Sequence, residues 1–65
     1  MIVTIITKDN KRTVVKDVLS FQYIKSDNKV YIYKHNTSLN LTFFDVIYIK
    51  VKEKCITKSY YHEHI

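Results

Sequence analysis

The chain is 65 residues long, carries 11 Lys+Arg against 6 Asp+Glu for a formal charge of +5, and contains no Gly, Pro, Trp or Ala. That length caps it at one small domain without a deep cleft of its own, and a single cysteine excludes an internal disulfide. No apolar run approaches the ~18 residues of a membrane helix, no signal-peptide pattern is seen, and an apolar content of 46% is too high for disorder. The lone cysteine fits a reducing compartment.

Val, Ile, Thr, Tyr and Phe make up 31 of the 65 residues. Branched and aromatic side chains fit a pleated, half-buried surface, so strands are expected almost throughout. Residues 1–7 read as a strand apolar on both faces, with Met1, Val3 and Ile5 on one side and Ile2 and Ile6 on the other. Such a strand is central or covered by a partner. Asp9-Asn10 marks a turn, because Asn and Asp best tolerate positive φ where glycine is missing. Residues 12–17 form the return strand. Residues 18–25 set Leu19, Phe21 and Tyr23 against Ser20 and Gln22, and Asp27-Asn28 is the second turn. Residues 30–34 oppose Val30 and Ile32 to Tyr31 and Tyr33, and residues 35–38 turn again. Leu39, Leu41 and Phe43 alternate with Asn40 and Thr42, the cleanest half-buried pattern in the chain. Residues 45–55 are the last strand.

One internal echo stands out. Residues 17–23 match residues 45–51 at an offset of 28, and a hairpin precedes each Asp-Val step. Duplication gives two pseudo-repeated three-strand units; the alternative is that a meander of strands repeats this way by chance. Both give an all-β fold, a small antiparallel barrel or sandwich of about six short strands. Residues 1–56 form this single domain. Residues 57–65 are a compositional shift, read as a frayed end or as an arm that contacts a neighbouring subunit; a weak signal for a short helix covers residues 55–65. A domain of this size buries only about 60% of its unfolded surface, so a homo-oligomer is expected.

The candidate chemistry lies on surfaces. Lys50, Lys52 and Lys54 fall on one face of the last strand with Tyr48 in line, about 6.6 Å apart. Tyr31 and Tyr33 form a second exposed aromatic pair, with Lys29 and Lys34 near in sequence. Cations interleaved with aromatics suit stacking and phosphate neutralisation. The competing reading is that alternate lysines keep a sheet soluble and guard its edge. His62-Glu63-His64 is half a metal site at best: on an extended tail Glu63 points away, and only His35 and Cys55 remain to complete the set. No metal and no cofactor are expected. Cys55 beside a histidine lacks a turn for an oxyanion hole and reads as a packed thiol, so no catalytic residue is expected. Asp17 and Asp45 read as turn caps. The sequons at Asn36 and Asn40 carry no meaning without export.

The Met-Ile-Val-Thr-Ile start, the Asp-Asn-Lys turns and the two Asp-Val strand entries give the chain a resemblance to short all-β accessory proteins encoded by phages of low-GC bacteria. The resemblance maps no functional residue. It implies a cytoplasmic, non-enzymatic protein that neutralises a host defence factor by binding a protein component or by sequestering an anionic nucleotide signal. A small nucleic-acid-binding module is the alternative, and no membrane partner is expected. Phe43-Phe44 and Tyr60-Tyr61 are the candidate apolar patches for a protein target.

Overall fold

A computed structural model describes residues 1–53 and 56–61. Among the described residues seven strands follow one another: β1 (Ile2–Thr7), β2 (Arg12–Val15), β3 (Val18–Ile24), β4 (Lys29–Lys34), β5 (Asn40–Phe43), β6 (Val46–Glu53) and β7 (Ile56–Tyr61). They form a four-stranded sheet in the order β2-β1-β6-β7 and a three-stranded sheet in the order β3-β4-β5, antiparallel throughout. The sheets do not close into a barrel; they are the two layers of a sandwich over one core. No helix among the described residues is long and apolar enough to cross a membrane.

The expected echo is a structural repeat. The hairpin β1–β2 pairs Val3 with Val15 and Ile5 with Thr13; the hairpin β4–β5 pairs Val30 with Phe43 and Ile32 with Leu41. The third strand of each unit crosses to the other unit. Thus β6 pairs with β1 through Ile5↔Ile49, and β3 pairs with β4 through Ile32↔Phe21. Even the irregularities correspond: the register slips between Ile6 and Thr7 against β6, and between Val18 and Ser20 against β4. Each sheet therefore holds one hairpin and the exchanged third strand, and neither unit completes a sheet without the other.

The corners explain how the chain crosses. Asp17 (φ 57°) and Asp45 (φ 56°) take the left-handed conformation between β2 and β3 and between β5 and β6. The Asp17 carbonyl accepts from the His35 N–H at 3.0 Å, and the Asp45 carbonyl accepts from the Lys8 N–H at 2.9 Å. The Val18 N–H donates to the Met1 carbonyl at 3.0 Å, and the Val46 N–H to the Asn28 carbonyl at 3.1 Å. These four bonds are two equivalent pairs that clasp the sheets at both ends. Among the described residues the other positive-φ positions are Asn10, Asn28 and Asn36, in the β1–β2, β3–β4 and β4–β5 turns. In a chain without glycine these turns fall to Asn and Asp, whose short side chains tolerate positive φ.

Among the described residues the buried core consists of branched side chains: Val3, Ile5, Val15, Val18, Val30, Ile32, Val46, Ile49 and Val51. Phe21, Tyr23 and Phe43 pack on its margin. Each fully buried Val or Ile contributes roughly 1.5–3 kcal/mol. Asn28 is the buried polar hub. Its side-chain carbonyl accepts from the Tyr23 hydroxyl at 3.2 Å, while its Nδ2 has no partner. Burial pushes the Tyr23 hydroxyl above its ordinary pKa.

Three details depart from the sequence pattern. Leu19 does not share a buried face with Phe21 and Tyr23: the bulge after Val18 turns it outward, 56% exposed. The residue 39–43 segment is not half buried. As β5 it is an edge strand, so Leu39 and Leu41 stay exposed and only Phe43 reaches the core margin. Residues 57–61, assigned to a tail beyond the domain, continue the sheet in β7, with Val51↔Lys58 and Ile49↔Tyr60 in register. A helix there is excluded by that pairing. Lys54, Cys55 and His62-Glu63-His64 lie outside the described residues.

Candidate functional site

Strand alternation sorts the surface residues. On β1, Val3 and Ile5 enter the core, so Ile2, Thr4 and Ile6 line the outer face of the four-stranded sheet. Register then places Tyr48, Lys50 and Lys52 of β6 beside Ile6, Thr4 and Ile2. On the other flank, Arg12 and Val14 of β2 lie beside Ile6 and Thr4. Two cationic flanks, Arg12 and the Lys50–Lys52 pair, stand about 10 Å apart across β1. Between them are exposed Ile2, half-buried Ile6 and buried Thr4, with Val14 50% exposed beside Arg12. No carboxylate from β1, β2 or β6 lies on this face among the described residues: Glu53, at the end of β6, alternates with Lys52 onto the other side.

At one corner of the face an open groove of about 260 Å³ is lined by Met1, Ile2, Lys16, Asp17 and Lys52. It brings two lysines together and sets one carboxylate beside them.

Tyr31 and Tyr33 are elsewhere. Val30 and Ile32 of β4 enter the core, so both tyrosines face out from the three-stranded sheet. The expected cation–aromatic site is thus split between opposite faces of the sandwich: Tyr48, Lys50 and Lys52 on one, Tyr31 and Tyr33 on the other. The reason is topological. β4 and β6 belong to different sheets, so an outward residue on one points away from an outward residue on the other. Lys54 lies outside the described residues.

On the tyrosine face the charges are already engaged. The Lys29 ammonium lies 5.2 Å from the centre of the Tyr31 ring and 3.6 Å from the Asp27 carboxylate. Tyr31, and after it Asp27, hold Lys29 above its ordinary pKa, against the opposing effect of desolvation. A surface cation already paired with Tyr31 and Asp27 has less to offer a ligand than the lysines of β6.

Arg12, Val14 and Ile2 are the residues of the basic face that sequence reasoning left out. The alternation of residues 12–15 contained the signal, since Arg12 and Val14 share one face of a strand. What was missing was the hairpin register that lays this face beside Lys50. Among the described residues, no three His, Cys, Asp or Glu side chains gather into a metal-binding group.

No family model, curated protein or solved structure matches the chain.

Proposed function

We propose that the chain is a non-enzymatic binding protein that acts stoichiometrically, and that it grips an acidic protein surface with the outer face of its four-stranded sheet. One observation carries this reading: exposed Ile2 and Val14 lie among Arg12, Lys50 and Lys52 with no carboxylate from β1, β2 or β6 on that face among the described residues. Apolar contacts supply affinity once water is excluded, and the flanking cations select an acidic partner and speed its approach. A nucleotide signal is a weaker fit, because Tyr31 and Tyr33 face away from the lysines and leave Tyr48 beside them to stack a base. A nucleic-acid strand needs a run of aromatic platforms beside its phosphate track, whereas the register puts Tyr48, with Tyr61 of β7 opposite it, at one end of the lysine row. Blocking a host factor by occupancy is also the role implied by the resemblance to small phage accessory proteins.

The test is capture from a bacterial lysate with three immobilised proteins: wild type, Lys50→Glu/Lys52→Glu and Val14→Asp. The expected result is one acidic protein retained at equimolar ratio by wild type and lost with either variant, whether or not the lysate is nuclease-treated. Capture abolished by nuclease makes nucleic acid the partner. Capture unchanged by both variants places the binding surface elsewhere.

A further inference from the structure

The repeat supplies an internal control for the two hairpin edges. β2 and β5 are equivalent edge strands, each hydrogen-bonded to one neighbour in its sheet. Thr13 opposite Ile5 corresponds to Leu41 opposite Ile32. One residue before each strand, Lys11 corresponds to Leu39; one residue before each corner aspartate, Lys16 corresponds to Phe44. The β2 edge therefore carries Lys, Thr and Lys where the β5 edge carries Leu, Leu and Phe. Those three are 77%, 42% and 62% exposed. Among the described residues the fully buried core contains nothing larger than Ile, with Phe21, Tyr23 and Phe43 at its margin, while Leu39, Leu41 and Phe44 stand on this edge. Residues 36–44 carry no charge at all. Lysines and other charges are the usual guard of a free edge, and here one edge has them and its equivalent does not.

From this we infer that β5 is a self-association edge, on which two copies pair antiparallel about a twofold axis at Leu41. The backbone geometry fits that register. The His35 N–H bonds to the Asp17 carbonyl, which makes Lys34↔Val18 a pair whose own backbone groups point away from each other. Alternation along β4 then turns the Ile32 groups toward Leu41, and leaves those of Asn40 and Thr42 on the open side of β5. With Leu41 on the axis, Asn40 meets Thr42 of the second copy and exchanges two hydrogen bonds, and the symmetric pair adds two more. On the core side, Leu41 meets its twin and Leu39 meets Phe43 of the second copy. The pairing is isologous and builds a continuous six-stranded sheet. A second copy suits this edge because it is neutral. Two +5 chains meeting at β2 would crowd Lys11, Arg12 and Lys16 of both copies along one seam, whereas at β5 the seam carries no charge. Both basic outer faces remain uncovered.

Sedimentation equilibrium of the full chain tests the inference. The wild type is expected as a dimer of twice 7.8 kDa. Leu39→Lys/Leu41→Thr/Phe44→Lys copies the β2 edge onto β5, at positions where those residue types already sit in the equivalent strand. It is expected to weaken the dimer by about 100-fold or more, with the circular dichroism of the fold kept. Thr42→Pro is the second variant. It keeps the apolar side chains and removes an outward N–H, and it too should yield monomer. Lys50→Glu/Lys52→Glu should leave the dimer intact, which separates this inference from the proposed binding face. A wild type that stays monomeric at millimolar concentration, or a dimer that survives both β5 variants, overturns it.

Discussion

The two halves of this molecule share a backbone and differ in surface. In both, a Val and an Ile of the first strand enter the core, an aspartate at positive φ turns the third strand into the opposite sheet, and a bulge interrupts the new pairing at the same place. Outside the core they diverge. The first hairpin wears lysines on its edge, the second leucines and a phenylalanine. The first presents Ile2, Thr4 and Ile6 outward, and the second presents Lys29, Tyr31 and Tyr33. The third strand of the second half, β6, is covered by β7, whereas its counterpart β3 is an edge. What is shared is what the fold requires. What differs is free to serve binding, and both proposed surfaces lie there.

The sharpest way to break the equivalence is to cut the same atom from each half. Ile5→Ala and Ile32→Ala should each cost about 2–5 kcal/mol, enough to unfold a domain this small. Ile5→Val and Ile32→Val, at about 0.5–1.5 kcal/mol, should give matching shifts in a urea titration. A clear mismatch would mean that one half folds around the other as a template.

Asn28 sharpens the comparison, because its counterpart position is held by Met1. The Asn28 carbonyl clasps Val46 as that of Met1 clasps Val18, but the Asn28 side chain also accepts from Tyr23. Asn28→Ala should cost about 1–3 kcal/mol, read by thermal melting. Asn28→Gly should recover the backbone share of that loss and not the Tyr23 share.

The corners predict a smaller and symmetric effect. Asp17→Ala and Asp45→Ala place a Cβ without a local hydrogen-bonding group at positive φ, at a cost of about 1 kcal/mol each. Glycine at either position should cost less than alanine, as urea midpoints will show.

The smallest effects follow pH and are unequal between halves. Burial raises the Tyr23 pKa, and Tyr31 with Asp27 raises that of Lys29. The folded state thus binds these protons more tightly than the unfolded chain. Their stabilising contributions are complete below about pH 10 and are lost as pH rises through the folded pKa values. Tyr23→Phe should flatten part of that alkaline loss. In the first hairpin the Thr7 hydroxyl and the Lys11 N–H hold the Asp9 carboxyl below its ordinary value. Its contribution is present above about pH 4 and fades in acid. The second hairpin turns on Asn36 and lacks this acid response.

Much of this fold was legible in sequence because its signals are local. Alternation groups Val3 with Ile5 and Val30 with Ile32 on single strand faces, although residues 1–7 read apolar on both sides. Asp-Asn pairs marked turns, and the Asp-Val steps marked both the repeat and its corners. What stayed hidden is non-local. Nothing near Val18 or Val46 tells those strands to leave their own hairpins and pair with the other one. That exchange decides that Lys50 lies beside Thr4 and that Tyr31 faces the far side. Leu19 was misplaced because a bulge breaks alternation, and Leu41 because an edge strand keeps the pattern of a buried one without the cover.

The exchange of third strands is the central claim, and proton NMR measures it directly. Close Hα–Hα contacts are expected between Ile5 and Ile49 and between Ile32 and Phe21, the matched pairs that link the halves. Contacts joining β1 to β3, or β4 to β6, would mean that each half closes on itself, and would contradict both the sandwich and the surfaces built on it.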